Sequence, residues 1–216
     1  MDEKNYVVFH IQKGGIKNPT ELSHKLSHNL RTKDSYSNPD IDLELVKYDV
    51  ELISNDGMNR FYNIVEPCRL EYEKRQEKTT GPRRTFKDLL NNKKSAIADE
   101  IIFSSSNKFF NTLTGEQTLD YFNSCLDFAK NDIAIKEDLI ISANIHYDEK
   151  SPHLHLIYSP LVKKYNKKIG DEVYTLLKTE YTNKYKGYLS ELHDKLADKL
   201  QNDGFDISRG FFRRKS

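Results

Sequence analysis

Three of the seven histidines in this chain, His146, His153 and His155, fall within ten residues, and no other stretch is better equipped to do chemistry. The run is His146-Tyr-Asp-Glu-Lys-Ser-Pro-His153-Leu-His155. Side chains two apart on a strand point the same way, so His153 and His155 can share one ion. The apolar stretch 139–143 leading into Asn144-Ile145-His146 reads as a strand, and 153–158 reads as its return. Residues 147–152 are then the turn that lays His146 beside the pair. Three imidazoles leave coordination positions open, which metal-assisted catalysis requires. Glu149 is placed as a ligand, a partner of a ligand or a general base, and Asp148 as turn chemistry. Imidazoles suit zinc, iron, nickel or copper, whereas oxygen ligands favour manganese or magnesium; the donor list leaves zinc and manganese both open.

Other elements must position this hairpin. Residues 6–11 read as a first strand stopped by Gly14-Gly15. Asn18-Pro19-Thr20-Glu21 announces a helix, with a cap, a proline in the first turn and a glutamate three residues after the cap. Leu22, Leu26 and Leu30 form its core stripe, while His24, His28 and Arg31 fall on a different face, open to solvent or a neighbouring site. Residues 46–53 read as a short extended segment and 58–76 as a helix interrupted at Pro67. Residues 99–104 read as a strand. Thr114-Gly-Glu-Gln117 caps a further helix with Leu119, Phe122, Leu126 and Ala129 on its apolar face. A last amphipathic helix is expected from about Thr179, with Tyr181, Tyr185, Leu189, Leu192, Leu196 and Leu200 on one side. Helices and strands interleave without regular βαβ alternation, so the expected class is α+β.

The 216 residues suffice for one good-sized core. No apolar run approaches a membrane span, and Met-Asp-Glu-Lys-Asn does not resemble a secretory signal. Cys68 and Cys125 stand far apart and read as reduced thiols, which suits a cytoplasmic protein. A net charge of +1 decides nothing, but basic residues cluster at Lys74, Arg75, Lys78, Arg83, Arg84 and Lys87, at 163–168 and at 209–215. Such patches with interleaved aromatics suit a nucleic-acid groove, and each alone also suits a solvated loop.

The spacing from His146 through Glu149 and His153 to His155 resembles that of the MobV (Mob/Pre) plasmid mobilisation relaxases, with Asp148-Glu149 and Pro152-His153-Leu154-His155 similar to that family's DE and PHMH elements. Ile11-Gln12-Lys13 resembles its MQK, and His28-Asn29-Leu30-Arg31 matches its HNxR. Asp40-Ile41-Asp42 followed by Lys47-Tyr48-Asp49 is similar to its DID…NYD, with lysine in place of asparagine. Arg83 with Lys87-Asp88, Glu100…Ser105…Phe109-Phe110, Gly204-Phe205 and Arg209-Gly210 continue the likeness; between these motifs the sequence diverges.

The resemblance implies an HUH-type relaxase fold: a central antiparallel sheet flanked by helices, with the histidine pair on a middle strand. It implies one relaxase domain over 1–216, with the family's C-terminal helical region absent from this chain. It implies nicking of one strand at a plasmid origin of transfer, with manganese or magnesium as cofactor and zinc as the tighter-binding alternative. Single-stranded or supercoiled plasmid DNA and the conjugation machinery are the implied partners. His28 matches the nucleophile, and the expected product is a 5′-phosphohistidine. Arg31 would hold the adjoining phosphate or position the histidine, with Arg83 a second candidate and Lys87 a further DNA contact. A neutral imidazole, with a pKa near 6.5, needs no deprotonation to attack, unlike tyrosine at about 10. His24 and Tyr48 are the rivals. Two other classes stay open: a metallohydrolase with Glu149 as base to a metal-bound water, and a non-enzymatic DNA-binding protein with a structural metal.

Overall fold

A computed structural model describes residues 5–33, 35–36, 38–53, 56–78, 80–81, 84–91, 95–167 and 169–209. In chain order the elements are β1 (Tyr6–Ile11), α1 (Pro19–Asn29), β2 (Val50–Ile53), α2 (Gly57–Glu77), α3 (Phe86–Leu90), β3 (Asp99–Ser104), α4 (Asn107–Phe110), α5 (Gly115–Asn131), β4 (Ile140–His146), β5 (His153–Tyr158), β6 (Leu161–Asn166), β7 (Asp171–Leu176), α6 (Thr179–Thr182), α7 (Tyr188–Asn202) and β8 (Ser208–Arg209). The strands form a sheet in the order β2-β4-β5-β3-β1-β8, with β6–β7 as a separate hairpin. Within the large sheet only β1–β8 is parallel. This is the α+β class expected from the sequence.

Side-chain alternation divides the molecule into two cores. Val7, Phe9, Ile101, Phe103, Ile145, Leu154 and Leu156 face α5 and α7, meeting Phe122, Phe128, Leu192 and Leu196. Residues one step out of phase face the other way. On that side Ile157 joins Leu22 and Leu26 of α1, Phe61 and Val65 of α2 and Phe86 of α3. Each such side chain contributes about 1.5–3 kcal/mol through apolar burial. The paired residues His146↔His153, Ser104↔His153, Ile102↔His155 and Asn144↔His155 lie on this second face. The histidines therefore occupy the α1 side of the two middle strands.

Local signals explain most of these boundaries. Asn18 Oδ1 accepts from Glu21 N at 2.9 Å, and the Glu21 carboxylate accepts from Lys17 N at 2.8 Å, one residue earlier than in a reciprocal box. Gly14 and Gly15 turn the chain after β1 with φ of +84° and +63°, and a Cβ on Gly15 would meet Ala96 Cβ at 2.7 Å. Thr114 and Gln117 form the expected capping box.

Four expectations need correction. The 58–76 helix is not interrupted, because α2 runs through Pro67 at the cost of one backbone hydrogen bond. The 46–53 segment is a 3-10 turn at Val46–Tyr48 followed by β2. The helix expected from Thr179 is two helices broken at Gly187, whose φ is 95°. Tyr185 is consequently exposed, Leu189 borders on exposure, and Tyr188 takes the buried place. Finally, the basic run 163–168 belongs largely to β6 of a second hairpin that the sequence reading did not anticipate. No helix of the described residues is long and apolar enough to cross a membrane.

Candidate metal and nucleophile site

The β4–β5 hairpin forms as its alternation requires. The ring centroids of His146, His153 and His155 lie 4.7–5.1 Å apart, and their ligand atoms fall within 4.8 Å of one another. His155 Nδ1 donates to Glu100 Oε1 at 2.8 Å, because a carboxylate oxygen can only accept. Its other ring nitrogen, Nε2, is buried without a hydrogen-bond partner. His153 Nδ1 donates in the same way to the Ser151 carbonyl at 2.9 Å, leaving Nε2 facing the Glu149 carboxylate at 3.9 Å. The orphaned nitrogen and the clustered imidazoles fit a divalent transition-metal ion. His146 is bonded through both nitrogens: Nε2 donates to the Asn29 carbonyl at 2.8 Å, and Nδ1 accepts from Arg31 Nη2 at 2.9 Å. It can enter the shell of an ion only by giving up one of these bonds.

Helix α1 brings the second half of the site. His28 lies in its last turn, half-buried, with its ring centroid 6.3 Å from those of both His146 and His155. Tyr36 covers it edge-on at 5.9 Å. His24, one turn earlier, is exposed, and Tyr48 is 57% exposed. Among the three candidates the structure brings only His28 to the metal-type cluster.

Arg31 is not on the helix face assigned to it by spacing. Helix α1 ends at Asn29, and Arg31 takes a left-handed conformation with φ of 51°, the position where glycine usually stands. Its side chain curls back and is 1% exposed. Nε and Nη2 clamp Asp148 at 2.6 and 2.9 Å, Nη2 reaches Glu149 Oε1 at 2.7 Å, and Nη1 donates to His28 Nε2 at 3.2 Å. The guanidinium is thus engaged by Asp148, Glu149, His146 and His28 together, the arrangement of a side chain that positions the histidine. Asp148, read as turn chemistry, is the buried anion of this clamp. Lys87 is exposed on α3 and lines a groove with Tyr62, Val65 and Glu66 of α2. Arg83, Lys168 and residues 210–216 lie outside the described residues.

Glu100 was quoted from the sequence without a role. It is 1% exposed, holds His155, and accepts from Lys25 Nζ at 2.6 Å. The available signal was a carboxylate inside an apolar strand, which must be paired to be buried. A carboxylate on the far nitrogen of a ligand imidazole fixes its tautomer and raises its basicity. Glu100→Ala should therefore weaken divalent-ion binding about 10–100-fold with little change in stoichiometry; calorimetric titration reads this directly, and unchanged affinity would remove Glu100 from the site. Asp49 is a second carboxylate without an assigned role. Its Oδ1 accepts from Tyr147 N at 2.7 Å, and burial pushes its pKa up to about 6.

Burial opposes protonation of three of the imidazoles. It lowers His28, with Arg31 adding to the effect, and lowers His153 and His146 with help from His155; His146 falls to about 2. Glu100 is held at about 2: burial opposes its ionisation, but His155 and Lys25 outweigh it. In the unfolded chain these histidines take up protons near 6.5, which the folded protein resists. Their contribution to stability is thus complete above that pH and is lost as pH falls below it. Glu100 adds a second loss from about 4.5 downward. Melting temperatures of chelator-treated protein should be lower at about pH 4 than at about pH 7, although Asp49, raised to about 6, offsets part of the loss below that pH; a flat profile would contradict the burial argument.

The site is thus a strand-borne histidine pair on the middle strands of a largely antiparallel sheet, with a helix-borne histidine above it. The chain belongs to the Mob_Pre family, described as plasmid recombination enzyme, which matches residues 3–216. It is 26% identical over 210 residues to plasmid recombination enzyme type 3 of Mammaliicoccus lentus, covering 97% of this chain and 44% of that protein. It is 28% identical over 188 residues to a plasmid recombination enzyme of Bacillus sp, covering 85% and 38%. The chain thus spans less than half the length of these curated relatives. It is also similar to a solved, Mn-bound MobM relaxase domain (MOBV; Mob_Pre) bound to plasmid pMV158 oriT DNA, with a TM-score of 0.69 and 24% identity over 98% of this chain and 93% of that one. At that identity the likeness establishes the fold.

Proposed function

We propose that residues 1–216 form a relaxase domain that nicks one strand of plasmid DNA at an origin of transfer, with His28 as nucleophile. The observation that carries this reading is the placement of the half-buried His28 ring 6.3 Å from two imidazoles of a hairpin more than a hundred residues away in sequence. Burial keeps His28 neutral, and its Nε2 lone pair is oriented by Arg31. That nitrogen attacks the scissile phosphorus. The P–N bond forms as the P–O3′ bond breaks; the departing 3′ oxygen takes a proton from solvent and the phosphorylated ring gives up its Nδ1 proton to solvent, leaving a free 3′ hydroxyl and a 5′-phosphohistidine that the reverse reaction can rejoin. His146, His153 and His155 would hold the divalent ion, which supplies charge stabilisation to the phosphate oxygens when bound. Manganese or magnesium is the proposed ion, supported by the Mn-bound relaxase of the same fold; zinc is the competitor on donor chemistry. Glu149 accepts from Arg31 and Asn38 beside His153, which suits a group that holds Arg31 in place and can accept a proton.

The proposed partner is single-stranded or supercoiled plasmid DNA, followed by the conjugation machinery. Buried, unpaired Cys68 and Cys125 suit the reducing cytoplasm where such DNA resides. The test is to incubate the protein with manganese and origin-containing oligonucleotides, then run a denaturing gel and localise the adduct by mass spectrometry. DNA phosphate on His28 supports the reading. Cleavage without any adduct would instead favour a metal-activated water with Glu149 as base.

A further inference from the structure

Arg31 Nη2 sits where three ligand-type atoms converge. It is 2.9 Å from His146 Nδ1, 2.9 Å from Asp148 Oδ1 and 2.7 Å from Glu149 Oε1. Ligand atoms of these three residues also lie within 4.8 Å of one another, as those of the three histidines do. One imidazole lone pair and two carboxylates form a donor set that takes divalent cations. A positive charge is required there, because Asp148 is fully buried with no other cation at hydrogen-bond distance among the described residues.

We propose that Arg31 is the resident cation of a second cation position, formed by His146 Nδ1, Asp148 and Glu149, and that it keeps a divalent ion away from His28. The same guanidinium meets His28 Nε2 through Nη1. A divalent ion in its place would bring a stronger Lewis acid beside that lone pair and compete for it. A guanidinium only donates hydrogen bonds to it, and these can be given up when a phosphate arrives. The left-handed backbone at Arg31 fits this account, since a side chain stands there in a conformation that favours glycine. The proposal deepens the reading of the histidine triad as a metal site, and the two fail separately.

The test is calorimetric titration with manganese. If the triad reading holds, the parent protein binds one ion, and the His153→Ala/His155→Ala variant binds none. Adding Arg31→Gln to that variant should restore one ion, and adding Asp148→Asn should remove it again. Arg31→Lys, which keeps the charge, should restore nothing. A folded triple variant that binds no ion overturns the proposal. A parent protein that binds none, beside a triple variant that binds one, overturns the triad reading alone. Should the triple variant lack a cooperative melt, Arg31→Gln in the otherwise intact chain decides. Manganese binding at least tenfold tighter than in the parent supports the proposal, and unchanged or weaker binding overturns it.

Discussion

His28→Ala is expected to eliminate the covalent protein–DNA product and to lower strand cleavage by at least about 10³-fold. The melting temperature and manganese binding should stay close to those of the parent, because the hairpin ligands and Glu100 are untouched. Two controls make the result specific. His24 is exposed one turn away on α1, and Tyr48 points into solvent, so His24→Ala and Tyr48→Phe should keep the adduct. An adduct that survives in His28→Ala would place the nucleophile elsewhere, with Tyr48 the first residue to examine.

The second large effect is on stability. Asp148→Ala leaves the Arg31 guanidinium buried with its bidentate partner gone, and the two side chains are 1% and 0% exposed. Removing one member of a buried pair costs about 3–5 kcal/mol, because the remaining charge has lost its compensation. Urea denaturation should show this as a lower midpoint at unchanged slope. Asp148→Asn keeps the shape and part of the hydrogen bonding, so it should cost less, about 1–3 kcal/mol. A loss below about 1 kcal/mol for the alanine variant would mean that Glu149 and Asp49 neutralise Arg31 unaided.

The two variants also separate what the sequence makes legible from what it does not. The hairpin could be read directly, because strand alternation places His153 and His155 on one side and the ladder register places His146 opposite. The apolar stripe of α5 and the cap of α1 were equally local signals. Arg31 was misplaced for a physical reason. The 3.6-residue period carries no warning that α1 stops at Asn29 and that the next residues turn left-handed. Asp148 looked like turn chemistry because its partner lies 117 residues away. Such a pair leaves no mark on the sequence nearby. The β6–β7 hairpin escaped notice because β6 is half solvated, so its lysines read as a charged loop rather than a strand. The break at Gly187 was hidden by tyrosines and leucines that continue the apolar spacing across it.

Lys25 and Asn29 anchor α1 to the sheet through Glu100 and His146, and these are groups that the hairpin itself uses. Leu22 and Leu26 fix the same helix in the second core. Loosening its last turn would strip His146 of the Asn29 carbonyl, Glu100 of Lys25 and buried Asp148 of Arg31 at one stroke. The end of α1 and the imidazole cluster therefore stand or fall as one cooperative unit.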